Sequence, residues 1–230
     1  ISIEQVRQVQ AAETKAILDG IASTRWDISG DTEALTQLFR DIGPKPLMPS
    51  TGRWAMDAKS LSQLLDLVRQ HKPKNLLELG SGTSTIWLGH TLAAWGGKIT
   101  SIDGSEEFLE LTRANITKHG LDDTVRTRFA PLLPGSWDSA TKVWYDRAII
   151  GDIDQVDFLL VDGPPGGPHR PDSRYPAIPE LIERLAPGAL VVLDDSQRPD
   201  EQAAVKKWVS KYGLKILDLK LPRLTVLRLT

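Results

Sequence analysis

Between Asn75 and Asp195 one pattern repeats: a short apolar run, a loop, then a stretch with helical character. Short apolar runs that alternate with helices read as strands joined by crossovers, so their sheet is parallel and covered on both faces. The runs are Asn75 to Leu79, KITSID, TVRTRFA, VDFLLVD and ALVVLDD, and the helical stretches are STIWLGHTLAAW, EEFLELTRANITKHG and PAIPELIERLAPG. The tail departs from the rule. LKILDLKLPRLTVLRLT holds two strand-like runs divided by little more than Pro222 and Arg223, too close for a crossover helix, so they should pair antiparallel. The expected fold is α/β: a doubly wound, Rossmann-like, seven-stranded sheet, mostly parallel with an antiparallel C-terminal hairpin, plus N-terminal helices.

Ahead of the sheet, Ile3 to Ile21 is helical in composition with an imperfect apolar stripe, and DTEALTQLFRDI is a second helical stretch. GPKPLMPSTGRWAM then interrupts regular structure, and Asp57 or Ser60 can cap the helix AKSLSQLLDLVRQH. The organisation reads as an N-terminal helical, substrate-side segment over residues 1–56 and a ligand-binding domain over 57–230. A formal net charge of -2, with 28 basic and 30 acidic residues interspersed, argues against a nucleic-acid partner. Cysteine is absent, which removes disulfides, thiolate metal sites and a cysteine nucleophile. No apolar run approaches a membrane span and no signal peptide is visible, so the expected location is cytoplasmic. Ile1 is not a methionine, which leaves open a neighbouring domain or a homo-oligomer contacted through the N-terminal helices.

In an open sheet of this kind ligands bind beyond the carboxyl ends of the strands, where the strand order reverses. The acidic residues there are Glu78, Asp103, Asp162, Asp194 and Asp195. The first strand runs into LLELGSGTSTIW, whose glycines are Gly80 and Gly82. A dinucleotide turn would need a third glycine, and a carboxylate directly before the turn would repel a pyrophosphate. S-adenosylmethionine (SAM) reverses those demands, because it carries an ammonium and a sulfonium and no phosphate. On this reading Glu78 favours the cationic methionyl end, Gly80 and Gly82 admit a close backbone, and Asp103 accepts from the ribose hydroxyls.

ELGSGTSTIWL, SIDGSEEFLELTRANI, RFAPLLPGSW, WYD, DFLLVDGPPG, RYPAIPEL and LAPGALVVLDDSQRPDE together resemble class I SAM-dependent methyltransferases, in particular a bacterial group associated with glycan and natural-product pathways. The resemblance runs from about Lys45 to the C-terminus. It implies that Glu78, Gly80, Ser81 and Gly82 form the methionine-binding turn, that Asp103 with Gly104 holds the ribose, that Ala130 and Leu132 wall the adenine, and that Asp162 borders the cofactor. Ser84 stands where many relatives have a third glycine.

Methyl transfer to oxygen needs a base or a metal that makes the acceptor nucleophilic. Asp162, Asp194 and Asp195 resemble the Mg²⁺ triad of catechol-type O-methyltransferases, while Asp162 and Asp195 can equally serve as local caps. His169, in the loop GPPGGPHRPDSRYP, is the metal-free candidate for general base beside Asp162 and Asp194. His71, His90 and His119 read as structural. Arg170 and Arg174 in the same loop can bind an anionic acceptor or simply lie in solvent. Trp54, Trp144 and Tyr145 can stack on a sugar or adenine face, with core packing the alternative for Trp144. The expected activity is methylation of a hydroxyl on a small-molecule or glycan acceptor. The competing readings are aminopropyl transfer, a non-catalytic scaffold and, last, an NAD-dependent oxidoreductase.

Overall fold

The computed structural model describes residues 13–16, 20, 30–42, 46–52, 55–167 and 169–230. Trp54, and most of the helix expected over Ile3 to Ile21, lie outside them. Residues 30–42 are helical. The labelled elements then run α1 (Ala58–His71), β1 (Asn75–Leu79), α2 (Thr83–Ala93), β2 (Lys98–Asp103), α3 (Glu106–Lys118), β3 (Val125–Phe129), β4 (Leu132–Pro134), β5 (Val143–Tyr145), α4 (Arg147–Ile150), β6 (Val156–Val161), α5 (Ala177–Leu181), β7 (Leu185–Leu193), α6 (Pro199–Lys211), β8 (Leu214–Ile216) and β9 (Thr225–Leu229).

Seven strands form one sheet in the order β3-β2-β1-β6-β7-β9-β8. The first five are parallel, and β9 pairs antiparallel with both β7 and β8. This is the doubly wound sheet with an antiparallel end that the sequence predicts. The chain leaves β1 toward β2 on one side and returns to β6 on the other, so the strand order reverses between β1 and β6 and a crevice opens above their carboxyl ends.

The central strands are apolar on both faces because helices cover both. Leu77, Leu79, Leu159, Val161, Val191 and Leu193 join one buried cluster, while Leu76, Phe158, Leu160, Leu190 and Val192 join the other. The described N-terminal residues share the second cluster: Leu38, Met48 and Met56 are buried in it with Leu61, Leu64 and Leu65 of α1. Asp57 caps α1 by accepting from the Ser60 amide at 2.8 Å, and Gly120 takes the left-handed conformation (φ +63) just past α3.

Three features depart from the sequence reading. The helix expected through Gly188 ends in a 3-10 turn at Ile182–Arg184, and Leu185 to Gly188 begin β7 instead, with Gly188 at φ +77 and an irregular register against β6. The connection between β8 and β9 spans residues 217–224 and is longer than a tight turn at Pro222 and Arg223. Third, β4 and β5 pair as a separate antiparallel ribbon in what the sequence suggested was loop, with Leu132 directly opposite Tyr145.

Candidate functional site

The glycine turn is held from below. Glu78 is fully buried, and its carboxylate accepts from Ser84 Oγ, Thr85 Oγ1 and Ser101 Oγ, each at 2.6 Å. These bonds tie the end of β1 to the first turn of α2 and to β2. Burial raises Glu78 to about 7, against the three hydroxyl bonds that lower it, with the charge of Asp103 raising it further. Glu78 and Ser84 are expected to face the cofactor; instead both are enclosed beneath the turn. Ser84 in a third-glycine position is thereby explained, since its hydroxyl is a ligand of the buried carboxylate and its side chain points away from the crevice.

Above the turn the crevice is open. Gly80 adopts φ +96, and a Cβ there would lie 3.1 Å from the Asp162 carbonyl, so the turn packs backbone to backbone against the end of β6. A Cβ at Gly82 would meet nothing within 4 Å, which leaves room for a ligand over the N-terminus of α2. Asp103 reaches across from β2: its carboxylate accepts from Ser81 N at 2.9 Å, Ser81 Oγ at 3.2 Å and Ser105 N at 2.8 Å. Ala130 is buried beside it, with its amide donating to the Asp103 carbonyl at 2.9 Å. Leu132 packs over Gly104, where a Cβ would approach it at 3.2 Å. A ligand with a hydroxylated ring at Asp103, a flat apolar group at Ala130 and Leu132, and a slender tail over Gly82 fits this cradle.

The ribbon completes the cradle with a residue whose placement the sequence does not specify. Tyr145 is 3% exposed, and its hydroxyl lies so close to Gly163 that a Cβ there would come within 2.5 Å of it and 3.0 Å of Gly80 Cα. That hydroxyl therefore sits where β1 and β6 part, and it forms no hydrogen bond among the described residues. Burial pushes the phenol well above 10, as does Asp103, while Arg174 opposes them; it remains a neutral O–H. The ribbon is fixed from outside: Trp137 Nε1 donates to Glu180 at 2.6 Å, and Arg147 grips the same carboxylate. Trp144 is buried in the core, so core packing is its role in the fold.

Beyond β6 and β7 the carboxylates converge as expected. Asp162, Asp194 and Asp195 bring ligand oxygens within 4.8 Å of one another. Arg174, expected in solvent or at an anionic acceptor, is instead 4% exposed and inserted among them. Its Nη1 donates to the Asp194 carbonyl at 2.7 Å; its Nη2 donates to Asp162 O at 2.9 Å, Asp162 Oδ1 at 3.0 Å and Asp195 Oδ2 at 3.3 Å. Asp195, at φ +53, also pairs with Arg198 at 2.9 Å and with Arg223. Buried Glu201 lies 3.9 Å from Arg174 Nε. Asp194 Oδ1 is buried without a partner among the described residues, and Asp162 is the member whose side chain keeps some exposure, 18%. Burial and the neighbouring Asp194 raise Asp162 well above the ordinary carboxylate range, against the pull of Arg174. Asp194 is raised too, by burial and by Asp195.

The loop that delivers Arg174 folds back on itself through Ser173 Oγ to Pro164 O at 3.0 Å and is anchored by Trp208 Nε1 to Tyr175 O at 2.9 Å. Arg170 and His169 are exposed, and among the described residues His169 makes no hydrogen bond to the carboxylates. The structure does not bring His169 to the cluster. The remaining histidines lie elsewhere: His71 Nε2 is 3.0 Å from the Asp157 carbonyl, and His90 Nε2 is 3.0 Å from His119 Nδ1.

Mg²⁺ does not fit this cluster as it stands. It demands near-octahedral oxygen ligands at roughly 2.1 Å, yet both oxygens of Asp195 and one of Asp162 already accept from guanidinium groups. The fixed guanidinium also offsets part of the three carboxylates' attraction for an ion, by about 8 kcal/mol for a divalent charge about 4 Å away at an effective dielectric of about 20.

The matches to known proteins agree with the fold. A family model described as a methyltransferase domain matches residues 77–196, from β1 through the acidic pair that follows β7 and just over half of the chain. The chain belongs to this methyltransferase-domain family. It is 26% identical over 118 residues to a release factor glutamine methyltransferase of Chlorobaculum tepidum; the match covers 51% of the chain and only 35% of that relative. Among solved structures, a Podospora anserina methyltransferase bound to SAH (S-adenosylhomocysteine) superposes with a TM-score of 0.63 at 15% identity, covering 91% of this chain and 95% of that one. An O-methyltransferase from Bacillus cereus in complex with SAH gives 0.58 at 17% identity, with 88% and 91% covered. An O-methyltransferase from Streptomyces achromogenes involved in tomaymycin synthesis, in complex with SAM, gives 0.55 at 17%, with 87% and 89% covered. These similarities establish the Rossmann-like methyltransferase fold. Among the described residues no helix is long and apolar enough to cross a membrane.

Proposed function

We propose that the chain transfers the methyl group of SAM to a hydroxyl of a small polar acceptor, with a saccharide as the favoured class. The observation that supports this most is the cradle at the β1/β6 reversal: the Gly80–Gly82 turn, Asp103, Leu132 and the Tyr145 hydroxyl surround one crevice beside Asp162. Gly82 and the start of α2 would receive the methionyl tail, Asp103 the ribose, and Ala130 with Leu132 the adenine. When bound, SAM supplies a methyl group already activated by its sulfonium.

The chain's own residues then have three tasks. The crevice orients the acceptor oxygen in line with the methyl group, a matter of placement rather than of bond activation. Tyr145, neutral and directed at the junction of Gly80 and Gly163, borders the methionyl end and shields it from water. Asp162 takes the acceptor proton: it is the partly exposed carboxylate, and its raised pKa makes it a better base than an ordinary aspartate. As the O–CH₃ bond forms and the S–CH₃ bond breaks, the proton passes to Asp162 and neutral SAH remains.

The test is incubation with methyl-labelled SAM and a panel of monosaccharides, uronates and glycosides. Labelled methyl ether is expected for at least one acceptor and is expected to fall at least a hundredfold in Asp162→Asn. Consumption of SAM that yields labelled ester or amine instead would overturn the hydroxyl assignment.

A further inference from the structure

We propose that Arg174 takes the place of a divalent cation in the carboxylate triad, so that the chain performs metal-independent methyl transfer on acceptors that need present only one hydroxyl. The inference deepens the methyltransferase reading and rests on it for the reaction, although its test does not.

The triad has what a hard cation requires: Asp162, Asp194 and Asp195 on adjacent strand ends, with oxygens within 4.8 Å. Such a group of like charges is not left bare when buried, and needs a cation close by. Here the chain provides that cation itself. Arg174 Nη2 donates to both Asp162 Oδ1 at 3.0 Å and Asp195 Oδ2 at 3.3 Å. Its two other contacts, Asp194 O at 2.7 Å and Asp162 O at 2.9 Å, are backbone carbonyls at the carboxyl ends of β7 and β6. Four contacts to three acidic residues fix the guanidinium in one orientation, and the side chain is 5% exposed. Arg198 and Arg223 pair with Asp195 as well, so three guanidinium groups already compete with an ion for that carboxylate.

The chemical consequence follows from the geometry. A bound divalent ion activates an acceptor by ligating it, and works best on two adjacent oxygens that complete its coordination shell. A guanidinium whose Nη1 and Nη2 are held by protein acceptors has no such open position. The acceptor therefore loses its proton to a carboxylate, and Asp162 is the one whose side chain keeps some exposure. Arg174 acts through Asp162 and Asp195 and is a positioning residue.

The experiment uses the full 230-residue chain as wild type, Arg174→Lys and Arg174→Ala, titrated with MnCl₂ while free Mn²⁺ is followed by electron paramagnetic resonance, with parallel melts in MgCl₂. Wild type and Arg174→Lys are expected to leave the free Mn²⁺ signal undiminished and to melt at the same temperature with and without Mg²⁺. Arg174→Ala, with the triad emptied of its guanidinium, is expected to bind one Mn²⁺ at least tenfold more tightly than wild type and to melt higher in Mg²⁺. One-to-one micromolar Mn²⁺ binding by wild type, lost in Asp194→Ala, would overturn the proposal, as would a folded Arg174→Ala that gains no metal. If Arg174→Ala does not fold, wild type and Arg174→Lys decide the matter: a Mn²⁺ site in either refutes it, and its absence from both supports it. S-adenosylhomocysteine binding, measured separately, reports on the methyltransferase reading.

Discussion

Replacing Glu78 by glutamine isolates the electrostatic cost of anchoring the glycine turn. The carboxylate is fully buried, accepts from three hydroxyls at 2.6 Å, and is raised from 4.5 to about 7. Its folded-state value lies above its unfolded one, so the folded chain holds the proton more tightly. The stability this confers is complete below pH 4.5 and is lost as pH rises through about 7. At roughly 1.4 kcal/mol for each tenfold change in proton affinity, the gap is worth about 3 kcal/mol. That is a large share of the roughly 5–15 kcal/mol that holds a typical domain folded. The Glu78→Gln variant keeps the shape, and its hydroxyl neighbours can rotate to accept from the new amide. Urea unfolding of both proteins between about pH 4 and about pH 8 removes every other titration by difference. Wild-type stability relative to the variant should fall by about 3 kcal/mol over that range, most steeply between about pH 5 and about pH 6.5 and levelling off above about pH 7. A difference independent of pH would show that folding leaves the Glu78 proton affinity unchanged and that the reasoning about its burial is wrong.

Asp103→Ala removes the carboxylate assigned to the ribose and should weaken S-adenosylhomocysteine binding at least tenfold with little change in far-ultraviolet circular dichroism; unchanged affinity in a titration would sink that assignment. Gly163→Ala places a Cβ 2.5 Å from the Tyr145 hydroxyl and 3.0 Å from Gly80 Cα, and should cost about 1–3 kcal/mol in a denaturant melt. Adding Tyr145→Phe should recover part of that loss, and strict additivity of the two changes would place the phenol elsewhere. With an acceptor in hand, kcat should fall with decreasing pH through an apparent pKa above the usual carboxylate range, because the base form of Asp162 is the active one; a profile flat down to pH 4 would assign the proton to another group.

The parallel strands were legible because both of their faces are buried: NLLEL and VDFLLV have to be apolar almost throughout, and that signal survives in a single sequence. The acidic strand ends were legible for a related reason, since a carboxylate closing such a run lies at the rim. The β4–β5 ribbon was not, because each of its strands has three residues and its pairing depends on Trp137, Glu180 and Arg147 gripping it from outside. In the sequence Tyr145 is one aromatic among several, and nothing there brings its hydroxyl beside Gly163. From the sequence Arg174 reads as a loop arginine or an anion binder. The clue was present: carboxylates crowded onto one rim need a cation, and the loop directly after Asp162 contains arginines. Glu78 at the end of β1 and Ser84 in the first turn of α2 are legible as parts of the turn, but sequence position does not say which side of it a side chain occupies.

The central claim is that the crevice between β1 and β6 holds an adenosyl cofactor. Calorimetric titration of the purified chain with S-adenosylhomocysteine tests it directly, without knowledge of the acceptor. The account predicts one-to-one binding with a dissociation constant of about 1 μM, equivalent to about 8 kcal/mol. A folded chain that gives no binding heat and no melting shift at millimolar S-adenosylhomocysteine would contradict it.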